Sequence, residues 1–141
     1  MTQSLGPDEY NSIQLAVNTM ILEMNDVQFQ ITQNSESNRL LHKTQSSDTE
    51  NVQGRYGDEI KYVRREMRES EDKTSNEYFE LMSELEELEE NRDTELKRIE
   101  NDTTEKEQFY EAQKTSLETQ YEAIKADKEG LESAQEQNIK N

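Results

Sequence analysis

The sequence predicts an all-α fold: an elongated helical hairpin or coiled coil, with a short N-terminal helix followed by a long C-terminal one. Three observations carry that expectation. Tyr10, Ile13, Val17, Met20, Met24, Val27 and Ile31 recur at alternating steps of three and four, the a/d spacing of a packed helical seam. The 141 residues include one proline and four glycines, too few turn formers for a β-sandwich or a loop-rich chain. Glu, Gln, Lys and Leu, which all favour helix, are abundant.

The first element spans residues 1–33. Gly6-Pro7-Asp8-Glu9 reads as a helix start, since proline tolerates the first helical position and acids there face the positive end of the helix dipole. Beside the main seam runs a second apolar line, Leu15, Leu22 and Phe29, with Ile21 next to it. A helix with two apolar flanks needs two neighbours, so all ten of these seam and flank positions are expected to form a self-assembly or partner interface.

Residues 34–57 are rich in Ser, Asn, Gln and Thr and contain Gly54 and Gly57, which predicts a polar linker, with helix persisting no further than about Lys43. Gly57-Asp58-Glu59 then offers a second helix start, and no proline follows through Asn141. Residues 58–141 are therefore read as one long, acidic coiled-coil helix, with apolar positions from Ile60 to Leu131 often eleven residues apart. Thr74-Ser75-Asn76-Glu77 and Asp102-Thr103-Thr104-Glu105 both resemble capping boxes and mark where this helix could kink or break.

Composition bounds function. Apolar residues make up 29% and charged ones 35%, so any core is thin. Ordering the backbone costs roughly 1–2 kcal/mol per residue. Part of the offsetting burial is expected from a partner, either a further copy or another helical protein. A formal charge of −17 argues against direct nucleic-acid binding and against adhesion to anionic lipid. That charge is uneven, with 7 acids and 3 bases over 1–57 against 26 and 13 over 58–141. Cysteine is absent, which removes disulfides and thiolate metal sites. No apolar stretch approaches the roughly 18 residues of a membrane span, and MTQSLGPDEY lacks the basic-then-apolar layout of a cleaved signal. The expectation is no membrane insertion, and a location that is cytoplasmic or reached by export without a cleaved signal.

No phosphate loop, dinucleotide fingerprint, nucleophile elbow, zinc motif or calcium loop is present. His42, the single histidine, falls in the polar stretch and reads as a solvated residue. Paired carboxylates such as Glu86-Glu87 would need a pocket to perturb one of them before doing acid–base work. No catalytic residue, cofactor or metal is expected. The charge pattern carries more: Lys61, Arg64, Arg65 and Arg68 form a basic stripe, and Glu80, Glu84 and Glu87 an acidic one some twenty residues on, ~30 Å along a single helix. A staggered neighbouring chain could set one stripe against the other and so fix register. The plainer reading is solvated charge, balanced locally by Asp58, Glu59, Glu66 and Glu69.

The run Leu117-Glu-Thr-Gln-Tyr-Glu-Ala-Ile-Lys, continuing to Asn138-Ile-Lys-Asn, resembles the tails of uncharacterised coiled-coil proteins from gut bacteria allied to the non-photosynthetic cyanobacteria. Asn25-Asp-Val-Gln-Phe-Gln-Ile is similar to their N-terminal helix. By organisation alone, two terminal helices around a polar segment also resemble subunits of type III secretion and flagellar filaments, which polymerise through those helices. The acidic C-terminal helix and the polar ending QEQNIKN depart from that pattern. Together these features lead to the expectation of a non-enzymatic structural subunit that assembles by helical packing, with a helical adaptor or chaperone of a secretion system or phage particle as the alternative.

Overall fold

In the computed structural model the chain forms two α-helices: α1, Pro7–Glu69, and α2, Asn76–Lys140, joined by a turn over 70–75. The structure describes residues 6–140, and side chains through Gln137. The two helices pack against each other as an all-α hairpin, and no strand occurs among the described residues.

Two expectations need correction. Residues 34–57 are not a linker: they are helical throughout, as part of α1. The first helix is not short either, since α1 and α2 have 63 and 65 residues. The reason lies in the seam. Beyond Ile31 its positions fall on Asn34, Asn38, Leu41, Gln45, Thr49, Val52, Tyr56, Ile60, Val63 and Met67, all buried or half-buried, so the spacing continues through residues too polar to reveal it by hydrophobicity. Ser, Asn and Thr disfavour helix by well under 1 kcal/mol each, and packing of one face overrides that. Gly54 and Gly57 sit inside the helix with no positive φ.

The break falls instead at the first of the two capping-box candidates, with the cap shifted from Thr74 to Ser75. Ser75 Oγ accepts the Tyr78 N–H at 3.1 Å and donates to the Asp72 carbonyl at 2.9 Å, satisfying a backbone donor that the first turn of α2 leaves free. Lys73 Nζ donates to the Met67 carbonyl at 2.8 Å, placing a cation at the negative end of α1. The other candidate box lies within α2, where Thr103 is buried and its hydroxyl returns to the Ile99 carbonyl at 2.8 Å. The kink or break allowed for near 101–104 is thus a stretch of continuous helix.

Packing divides the chain into two units, 6–38 with 109–140 and 39–108. In the first, Val17, Val27 and Leu117 are buried, with Tyr10, Ile13, Met20, Met24, Ile31, Tyr110, Tyr121, Ile124 and Leu131 half-buried around them. Side-chain hydrogen bonds fix the antiparallel pairing: Gln135 Nε2 donates to Gln14 Oε1 at 3.2 Å, and Asn34 Nδ2 donates to Gln113 Oε1 at 2.8 Å. In the second unit Ile60 and Val63 are buried, and Met67, Tyr78, Leu81, Leu85, Leu88, Leu96 and Ile99 are half-buried. Here the cross-helix pairs are ionic or hydrogen-bonded: His42 Nε2 lies 3.2 Å from Glu107 Oε1, Arg55 pairs with Glu95, and Arg64 donates to Glu89 at 2.9 Å. Each unit thus pairs rising numbers on α1 with falling numbers on α2.

Candidate functional site

Seam and flank have separate fates in the first unit. Of the seam residues, Val17 and Val27 are buried and Tyr10, Ile13, Met20, Met24 and Ile31 half-buried within the hairpin itself. The flank is not covered. Leu15, Leu22 and Phe29 keep 67%, 69% and 59% of their surface exposed, and Ile21 beside them is also exposed. Steps of seven place the three at one heptad position, so they stand in a row along α1, ~21 Å from first to last. Charge is sparse around them: between Tyr10 and Gln33 only Glu23 and Asp26 are charged. The three are separated along that face by the exposed polar pairs Asn18 with Thr19 and Asn25 with Asp26, and together they are the largest set of exposed apolar side chains at one heptad position of α1.

The charged stripes lie in the second unit, and the turn changes their relationship. Both fall near the hairpin end, on different helices, and are not ~30 Å apart along one helix as the sequence reading supposed. Arg64 already reaches Glu89 on α2, which sets the level at which the two helices face each other. Lys61, Arg64, Arg68 and Lys73 line an open groove of about 540 Å³ together with the apolar side chains of Met67, Tyr78 and Leu85. Lys73 Nζ is 5.4 Å from the centroid of the Tyr78 ring. Arg65 is exposed and does not line this groove. The four charged side chains that line this groove are all cations, although Asp58, Glu59, Glu66 and Glu69 lie close by in sequence and Arg64 is already paired with Glu89.

Glu80, Glu84 and Glu87 are exposed on the outer face of α2, around Phe79 and Ser83 and with Asn76 at the start of the helix. Phe79 keeps 52% of its surface exposed and rests its ring edge-on against Tyr78 at 6.2 Å between centroids. The acids are legible in the sequence as a stripe, whereas Phe79 lies outside the seam pattern and has no spacing signal of its own.

Other candidates are plain in the structure. His42 is exposed and within reach of one carboxylate, that of Glu107. Among the described residues no group of three or more His, Asp or Glu side chains is placed to hold a metal ion, and no helix is long and apolar enough to cross a membrane. The resemblance to filament subunits loses one of its grounds, because the polar segment on which it drew is packed helix. No protein-family model, curated protein or solved structure matches the chain.

Proposed function

We propose that this chain is a non-enzymatic structural subunit that self-associates by helical packing, and that the exposed row Leu15, Leu22 and Phe29 meets the same row of a second copy. One observation carries this reading: the seam beside the row is satisfied within the chain, while three large apolar side chains in line with one another are left in water. Burying a Leu or Phe side chain is worth about 1.5–3 kcal/mol, so the row supplies a driving force that a folded hairpin does not use internally. The surroundings favour a like surface over an unlike one. With two acids and no base between Tyr10 and Gln33, two copies can approach there with little repulsion despite the chain's overall charge, and a basic partner would find little to pair with.

The test is sedimentation velocity of the wild type and Leu22→Glu over a range of concentration. The substitution is at an exposed position, so helicity and melting are expected to stay nearly unchanged while self-association weakens about tenfold or more. A wild type that stays monomeric at every concentration defeats the proposal. A monomer that instead orders against a different helical protein through the same row would support the adaptor reading.

A further inference from the structure

The geometry points to a second, electrostatic contact between copies: the acidic outer face of α2 in one chain seats in the cationic groove at the hairpin end of the next. This rests on the self-association reading but uses different residues in the other unit. The occupant is identified by charge and by spacing. Lys61, Arg64 and Arg68 follow steps of three then four, and Glu80, Glu84 and Glu87 follow steps of four then three. Both sets span seven residues, ~10 Å of helix. Read in opposite directions the two patterns coincide, so an α2 lying antiparallel to the neighbour's α1 sets Glu87 at Lys61, Glu84 at Arg64 and Glu80 at Arg68.

Apolar surface matches as well. Phe79, exposed beside Glu80, then arrives at the groove, whose lining includes Lys73, Met67 and Tyr78. Arg64 keeps its bond to Glu89, because a guanidinium has five donors and can share them between two carboxylates. The groove cannot take the acidic face of its own chain, since the α2 residues that line it, Tyr78 and Leu85, lie on the side turned toward α1, whereas Glu80, Glu84 and Glu87 are on the outer side. A second copy is needed. Donor and acceptor are also different surfaces, so the contact is heterologous: a chain that has docked its acidic face still offers an empty groove, and copies add in sequence. No stagger of ~30 Å is required, because the turn already brings both stripes to the same end.

Sedimentation velocity and light scattering at about 50 mM and about 500 mM NaCl test the contact, because the screening length shortens several-fold across that range. The proposal expects association at low salt that weakens about tenfold or more at high salt, the same loss in Arg64→Glu and in Glu84→Arg, and recovery when the two are combined. Arg68→Glu with Glu80→Arg repeats the test on a pair in which Arg68 makes no ion pair among the described residues, which guards against misfolding of the Arg64 variant. Circular dichroism of each variant confirms that the hairpin is intact. Association that is indifferent to salt and to both charge swaps but lost in Leu22→Glu overturns this contact and leaves the apolar self-association standing. Association that survives Leu22→Glu but fails on the charge swaps supports the contact and removes the apolar row. A chain monomeric in every condition overturns both.

Discussion

Asn34 reaches across to α2 from a buried position on the α1 seam, its Nδ2 donating to Gln113 Oε1 at 2.8 Å and to the Tyr110 carbonyl at 3.1 Å. A buried amide at a seam position costs stability relative to leucine but bonds well in only one alignment of the two helices. Asn34→Leu is therefore expected to raise stability by about 1 kcal/mol in urea denaturation, since Gln113 is exposed and returns to water. The same change is expected to loosen register, read as new cross-linking partners when single cysteines are placed at positions 14 and 135. A stabilised variant whose register is unchanged would show that the apolar positions alone fix the alignment.

Val63 has 2% of its surface exposed and is the most fully buried large side chain among the described residues. Val63→Ala removes two methyl groups from a core with few alternatives, and about 2 kcal/mol of unfolding free energy is expected to go with them. Leu22→Ala deletes more carbon from an exposed site, yet its effect on the same measurement is expected to stay within about 0.5 kcal/mol in dilute monomer. Reversal of that order would mean that the row on α1 is covered in solution.

The contrast between these two positions also shows what the sequence reveals. The apolar run from Tyr10 to Ile31 declares both the helix and its two flanks, and the cap near Thr74-Ser75 declares a possible turn. Hidden is the stretch from Asn34 to Tyr56, where the seam passes through Asn34, Asn38, Gln45 and Thr49. Hydrophobicity cannot trace a seam made of amides and hydroxyls. Asn38 Oδ1 is even buried with no hydrogen-bond partner among the described residues, a position that only the packed structure identifies. Once 34–57 is mistaken for a linker, the turn is sought there, and the true turn reads as a kink. The charged stripes suffer the same error: their residues are legible, but their proximity depends on where the chain reverses.

Gly54 and Gly57 test how firmly packing overrides propensity. Both are helical, neither has positive φ, and an added Cβ meets nothing within 4 Å at either site. Alanine is favoured over glycine in a helix interior by about 0.8–1.0 kcal/mol, so Gly54→Ala and Gly57→Ala are each expected to stabilise by about that amount, additively, in thermal or urea unfolding. Destabilisation by either would place that residue outside helical geometry in solution.

Asp72 makes the turn sensitive to acid. Its Oδ1 accepts the Thr74 hydroxyl at 2.6 Å and the Thr74 N–H at 2.9 Å, and these bonds, the hydroxyl first, hold its carboxyl below the usual carboxylate range against a small opposing effect of desolvation. A carboxyl whose folded value is depressed binds protons more readily when the chain is unfolded. Its charge therefore stabilises the turn above the unfolded value, and that contribution is lost as pH falls through the lowered folded one. Asp72→Asn keeps an acceptor at Oδ1 and removes the charge. The difference in unfolding free energy between wild type and Asp72→Asn is thus expected to favour the wild type near neutrality and to shrink toward zero in acid, since contributions common to both proteins cancel. A difference that stays constant from neutral pH into strong acid would show that the hydrogen bonds to Thr74 do not depend on ionisation, and that the hydroxyl and amide contacts alone hold the turn.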